Sequence, residues 1–220
     1  MVMLFFAGCA NQPQKSVDID GNSYPVVKIG SMLWTGKNLD VAHYRNGDSI
    51  PEIKDSSAWS TLTTGAWCYN ENKADNGKTY GKLYNWYAVN DPRGLAPKGW
   101  HVATNAEWSE LVSLLGGAQE AGGAMKATVH WNEPNDGASN KSGFTALPAG
   151  ARRDSDGKFM VPGEFNRLWS STELTTKTVG VSALGYFDAA LRQGKVGKNN
   201  GFSVRCVKDP DSIICNLLNQ

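Results

Sequence analysis

The stretch PKGWHVATNAEWSEL, Pro97 to Leu111, sets a histidine and a glutamate six residues apart between two tryptophans. An imidazole beside a carboxylate is the pair that performs general acid–base chemistry, provided a pocket and a reacting partner lie within hydrogen-bond reach. The sequence displays no such partner for either side chain. It displays a structural job instead: Thr104-Asn105-Ala106-Glu107 has the S/T-x-x-E spacing of a capping box, in which the threonine and glutamate side chains satisfy each other's backbone amides. Trp108, Leu111, Val112 and Leu115 then follow at i, i+3, i+4 and i+7, one apolar helix face that Gly116-Gly117 stops. Glu107 therefore reads as a cap, and His101, inside the short strand Trp100–Val102, reads as a hydrogen-bonded core residue. His43, His101 and His130 are far apart, and no C-x-x-C or Cys/His cluster has metal spacing, so neither a metal nor a cofactor is expected.

The elements that hold these residues belong to a chain of 220 residues, long enough to bury a substantial core as one domain. Its 22 basic and 21 acidic side chains leave a net charge of +1 without a basic stripe, which argues against a nucleic-acid partner. The 24 glycines and 8 tryptophans point to a turn-rich domain with aromatic anchors, a composition suited to exported binding or structural proteins.

The N-terminus MVMLFFAGCANQPQKS is apolar, then small, then polar. Phe6-Ala7-Gly8-Cys9 resembles the lipobox of bacterial lipoproteins, in which the cysteine becomes lipid-modified. The apolar run is too short to span a bilayer. The expected organisation is a truncated signal peptide over 1–8, lipidation at Cys9, a flexible tether over 9–20, one domain over 21–209 and a tail over 210–220. The expected location is the cell envelope, as an outer-membrane or cell-surface lipoprotein held by its lipid alone. Of the remaining thiols Cys68, Cys206 and Cys215, the last sits in the tail, so Cys68 with Cys206 is the expected disulfide in an exported protein.

Strand and turn signals surround the helix. YPVVKIG and SMLWTGKNL read as a hairpin joined at Gly30-Ser31, and Asn46-Gly47 and Asp156-Gly157 mark two further turns. GKLYNWYAVN, with Leu83, Trp86 and Tyr87 on one face, reads as a first short helix ended by Asp91-Pro92. GFTALPAG, RLWSSTE, GYFDAALRQGKV and GFSVRCVKD are four late strand candidates.

As an ordered set, LWTGKNL, YGKLYNWYAVN, PKGWHVATNAEWSEL, SGFTALPAGAR, LWSSTE and GFSVRCVKD resemble the Fibrobacter succinogenes major paralogous domain, found in exported bacterial proteins and lipoproteins. Through it they look related to the formylglycine-generating and sulfatase-modifying group and to the C-type-lectin-like fold. The resemblance implies an α+β domain: two helices, a small twisted antiparallel sheet whose ends meet, and extensive loops. The family commonly places a cysteine before the Pro-x-Gly-Trp-His motif, where this chain has Ala96. Either Cys68 takes its place or Cys206 is a buried thiol.

Formylglycine-generating enzymes hold copper with a late cysteine pair, whereas only Cys206 lies in a late strand here, so the expectation is not an enzyme. Glu133-Pro134-Asn135 matches the triplet that bridges calcium and sugar in C-type lectins, but it precedes the late strands and no W-N-D strand follows, so it reads as chance. What the resemblance leaves is a surface-anchored domain for recognition or adhesion, binding an unknown glycan or protein; the alternative is a structural envelope lipoprotein that assembles with others. The ligand surface it implies runs from about Leu168 to Asn200, with Trp169, Tyr186, Phe187, Arg192 and Asn199 as candidates, Trp169 being also the one that reads as core. Aromatics and arginine are the side chains in which binding energy concentrates.

Overall fold

The computed structural model describes residues 15–210. Cys9, the lipobox, the leader and the Cys215 tail therefore lie outside the described residues. The chain forms, in order, β1 (Lys15–Val17), β2 (Ser23–Ile29), β3 (Met32–Thr35), α1 (Ser56–Ser60), β4 (Trp67–Cys68), α2 (Ala74–Tyr80), β5 (Leu83–Tyr84), α3 (Trp86–Val89) and β6 (Trp100–Val102). It continues with α4 (Asn105–Leu114), α5 (Ala121–Met125), β7 (Ala151–Arg152), β8 (Phe159–Met160), β9 (Phe165–Glu173), β10 (Thr178–Gly185), β11 (Leu191–Gly197) and β12 (Cys206–Lys208).

Two antiparallel sheets organise these pieces: five strands in the order β1-β2-β3-β12-β6, and three in the order β11-β10-β9. Strand residues outnumber helical ones, 31% against 17%. This overturns the expected two-helix α+β, C-type-lectin-like architecture: the domain is built mainly of several antiparallel sheets, and its helices, α4 apart, are one or two turns long. Such short helices gain little from propagation and persist only where tertiary packing holds them.

Particular expectations fared differently. The β2–β3 hairpin turns at Gly30-Ser31, with Val27 opposite Trp34 and Ile29 opposite Met32. The first expected helix instead splits into β5 and α3, because Tyr84 is drawn into pairing with Trp67 and with Phe202 on either side. Asn85 then caps the single turn of α3 by accepting from the Ala88 amide. GFTALPAG is not a strand, while β10, built from the small residues TVGVSALG, went unread and forms the centre of the late sheet. Residues 15–20, expected to lie in a flexible tether, are structured: β1 pairs with β2 from Lys15 onward, and the Asp18 carboxylate accepts from the amides of Asp20 and Asn22 and from the Tyr24 hydroxyl.

All eight tryptophans are buried. Six of their indole N–H groups donate to loop or strand carbonyls, as Trp59 does to Asn199 and Trp169 to Tyr84. Buried cations perform the same service. Lys126 donates to the carbonyls of Asp136, Gly185 and Asp188; Arg152 to those of Ile53, Lys54 and Gly157; Arg205 to those of Thr35, Phe144 and Thr145. Irregular backbone has no ladder in which to place its carbonyls once buried, and a multivalent donor is one way to satisfy several at once. Aromatic faces complete these sites: Arg152 lies over Trp59 at 4.5 Å and Arg205 over Phe144 at 4.3 Å.

The expected disulfide is absent. Cys68 on β4 and Cys206 on β12 are free, buried thiols. They belong to different clusters of the core, Cys68 with Trp59 and Leu83, Cys206 with Tyr84, Trp100 and Phe202. Burial pushes both thiols up, Cys68 to about 12, which makes them inert packing groups.

Candidate functional site

The His–Glu pair is an electrostatic clasp. The helix cap forms as its spacing predicted: Thr104 Oγ1 accepts from the Glu107 amide, and Glu107 Oε2 accepts from the Thr104 amide. The other carboxylate oxygen, Oε1, lies 2.7 Å from His101 Nε2, while His101 Nδ1 lies 2.7 Å from Asp209 Oδ1. With a carboxylate on each ring nitrogen, both nitrogens donate and the imidazolium is favoured. Its pKa is pushed up to about 9, chiefly by the Glu107 hydrogen bond, with burial opposing and Asp209 adding to the rise. A histidine already protonated at neutral pH cannot act there as a general base. It ties β6, the start of α4 and the residue after β12 together.

This clasp carries a pH prediction. The folded-state pKa of His101 lies above its ordinary 6.5, so its stabilisation is complete below pH 6.5 and is lost as pH rises through about 9. Glu107, held below its ordinary 4.5 against the opposing effect of burial by His101 and Thr104, contributes in the opposite sense and is lost on acidification. Urea midpoints are expected to peak between pH 4.5 and 6.5 and to decline toward pH 9. His101→Gln should flatten that alkaline decline. A His101 ring resonance titrating near 6.5 would refute the clasp.

The late-sheet candidates separate. Trp169 is fully buried against Phe202, with ring centroids 4.5 Å apart and its indole donating to the Tyr84 carbonyl, so it is core and not a ligand contact. The Asn199 amide is spent on the carbonyls of Ser60 and Leu62, fastening the β11–β12 connection to the end of α1. Tyr186, Phe187 and Arg192 do come together: Phe187 packs edge-on to Tyr186, and Arg192 lies 5.4 Å above the Phe187 ring. The Arg192 fork is taken up by Asp188.

The larger concavity lies elsewhere. A cleft of about 650 Å3 opens between β2, the residues after β3, the end of α2 and the loop around Thr145. Its back wall is Asn38 and Arg205. Asn38 Oδ1 accepts from Arg205 Nε at 2.7 Å, and its amide donates to the Tyr80 carbonyl and to Ser203 Oγ. Burial disfavours the charged guanidinium of Arg205, but the carbonyls and the Phe144 ring hold it in place. Asp40 on the same side receives two bonds from the buried Lys82, one to its carbonyl and one to Oδ1 at 2.8 Å. Burial pushes the Asp40 carboxyl up, and Lys82 pulls it down.

What remains accessible in the cleft is different in kind. Tyr80, half-buried and edge-on to His130, stands beside the apolar Pro25, Val27 and Leu147 and the polar Ser23, Thr79 and Lys37. Gly81 makes this shape available. At φ 74° it ends α2, and a Cβ there would lie 2.7 Å from the Leu39 carbonyl. The cleft escaped the sequence reading because its walls come from residues near 25, 38, 80, 145 and 205. The one local sign was a tyrosine set between Gly77 and Gly81.

These features define a strand-rich domain of short antiparallel sheets, its loops pinned by buried tryptophans and cations, with a recessed cleft of ligand size beside Tyr80. The chain belongs to the Fibrobacter succinogenes major domain family, whose profile matches residues 27–208. No curated protein and no solved structure matches the chain.

Proposed function

We propose that this protein is a non-catalytic recognition domain of the cell envelope, anchored through Cys9, that binds a saccharide in the cleft beside Tyr80. The observation that carries this reading is the division of labour in the cleft. Asp40, Asn38 and Arg205 are committed to internal partners, and the accessible lining is an aromatic ring, aliphatic carbons, hydroxyls and two lysines, Lys37 and Lys78. A tyrosine face with nearby hydroxyl and amine groups suits a ring that is apolar on its C–H face and hydroxylated at its edge. The envelope location rests on the lipobox-like Phe6-Ala7-Gly8-Cys9.

The test is a glycan array probed with the full-length chain, followed by calorimetry on the best saccharide. Tyr80→Ala is expected to weaken binding by about tenfold or more, the scale of a central aromatic contact. Lys37→Ala should weaken it less, and Phe187→Ala should leave it unchanged. Binding that survives Tyr80→Ala but fails with Phe187→Ala would move the site to the late sheet, and an array without hits would sink the saccharide reading.

A further inference from the structure

Arg167 lacks what the other interior cations have, hydrogen-bonded partners for the charged group. Arg152, Arg205 and Lys126 each meet three backbone carbonyls. Arg167, on β9, is partly buried, yet its guanidinium forms no hydrogen bond or ion pair among the described residues. Its Nε is wholly shielded from solvent and has no partner. Burial alone lowers its pKa, with no neighbouring carboxylate offsetting it. Only aromatic faces attend it, Phe202 at 5.7 Å and Phe165 at 6.0 Å.

This guanidinium lines a hollow of about 200 Å3 together with Arg152, Arg153, Ser155 and Asn200. Asp154 is the acidic side chain of that lining, and Arg153 is itself held by Asp156 outside it. The Arg167 guanidinium thus meets a small concavity without a carboxylate ion pair of its own among the described residues, whereas that of Arg152 is already spent on three carbonyls. An unpaired, desolvated cation is unfavourable, and the planar fork of arginine matches two oxygens of one anionic group. The hollow has room for such a group.

We propose that this hollow is a binding site for an oxyanion, a carboxylate or phosphate group, held by the two terminal nitrogens of the Arg167 guanidinium over the Phe202 ring with Ser155 and Asn200 at its rim. The site is separate from the cleft beside Tyr80 and shares no lining residue with it.

The experiment follows the arginine Nε–Hε resonances of the full-length chain while inorganic phosphate or glucuronate is added at constant ionic strength. The Arg167 signal is expected to shift saturably, with a dissociation constant in about the millimolar range for a lone anion. A response to phosphate alone assigns a phosphorylated ligand, and a response to glucuronate alone assigns an acidic sugar or other carboxylate. Arg167→Lys, which keeps the charge and loses the fork, should weaken binding by about tenfold. Arg192→Met, which alters an arginine already paired with Asp188, should not change it. An Arg167 resonance that stays still with both anions overturns the proposal, as does a shift that Arg192 shares equally; because that readout uses the unsubstituted protein, it holds even where a variant fails to fold.

Discussion

Arg205→Met is expected to lower the unfolding free energy by about 3–5 kcal/mol, the cost of stranding buried polar groups that one cation had satisfied. Arg205 is 1% exposed, and its guanidinium holds Asn38 Oδ1 and the carbonyls of Thr35, Phe144 and Thr145. Methionine fills similar space but donates nothing, so these acceptors remain buried without partners, each costing on the order of 1–3 kcal/mol before relaxation. Urea denaturation gives the measurement, with the midpoint shift read at an unchanged slope. The same change should loosen the cleft, because Asn38 and the Thr145 loop are its back and side. A loss under about 1 kcal/mol would show that water replaces the guanidinium, and the carbonyl-collecting role would fail.

Trp108→Ala is the second large effect. Trp108 is fully buried at the centre of an aromatic cluster, 4.9 Å from the Trp34 ring and 5.9 Å from that of Phe144. Its indole also donates to the Trp169 carbonyl at 3.3 Å. It joins α4 to the five-stranded sheet through Trp34 and to the late sheet through β9. Truncation removes a large apolar surface and leaves a cavity that rigid neighbours cannot fill, costing about 3–5 kcal/mol. For a chain of this length that corresponds to a melting temperature lower by about 10 °C. Calorimetry checks it. A shift of only a few degrees would mean that Trp34 and Phe144 collapse into the space and that the cluster is softer than its close packing implies.

The two substitutions probe different ways of stabilising a loop-rich domain. Trp108 acts through area and shape, Arg205 through hydrogen bonds to backbone that no sheet ladder reaches. Their sites share Phe144, which touches the Trp108 ring and lies under the Arg205 guanidinium. The double variant is therefore expected to depart from additivity.

Family membership, the α4 helix with its capping box, the β2–β3 hairpin and the tight turn at Asn46-Gly47 were legible in the sequence, because each is encoded by residues a few positions apart. Capping, turn chemistry and helical periodicity are local physics, readable without knowing the fold. Tertiary structure alone decided the rest. GKLYNWYAVN carries a helical stripe, yet Leu83 and Tyr84 became strand because Trp67 and Phe202 offered them pairing partners. Cys68 and Cys206 satisfied every compositional argument for a bridge, but they sit in separate core clusters, and no spacing rule measures that. Asn199 looked available to a ligand until carbonyl partners claimed it, and Trp169, a ligand candidate that also read as core, is core. The cleft beside Tyr80 and the hollow at Arg167 draw on segments far apart in the chain. Burial, hydrogen-bond satisfaction and concavity are sums over neighbours that only the folded chain brings together, so a side chain's type could be read in advance while its availability could not.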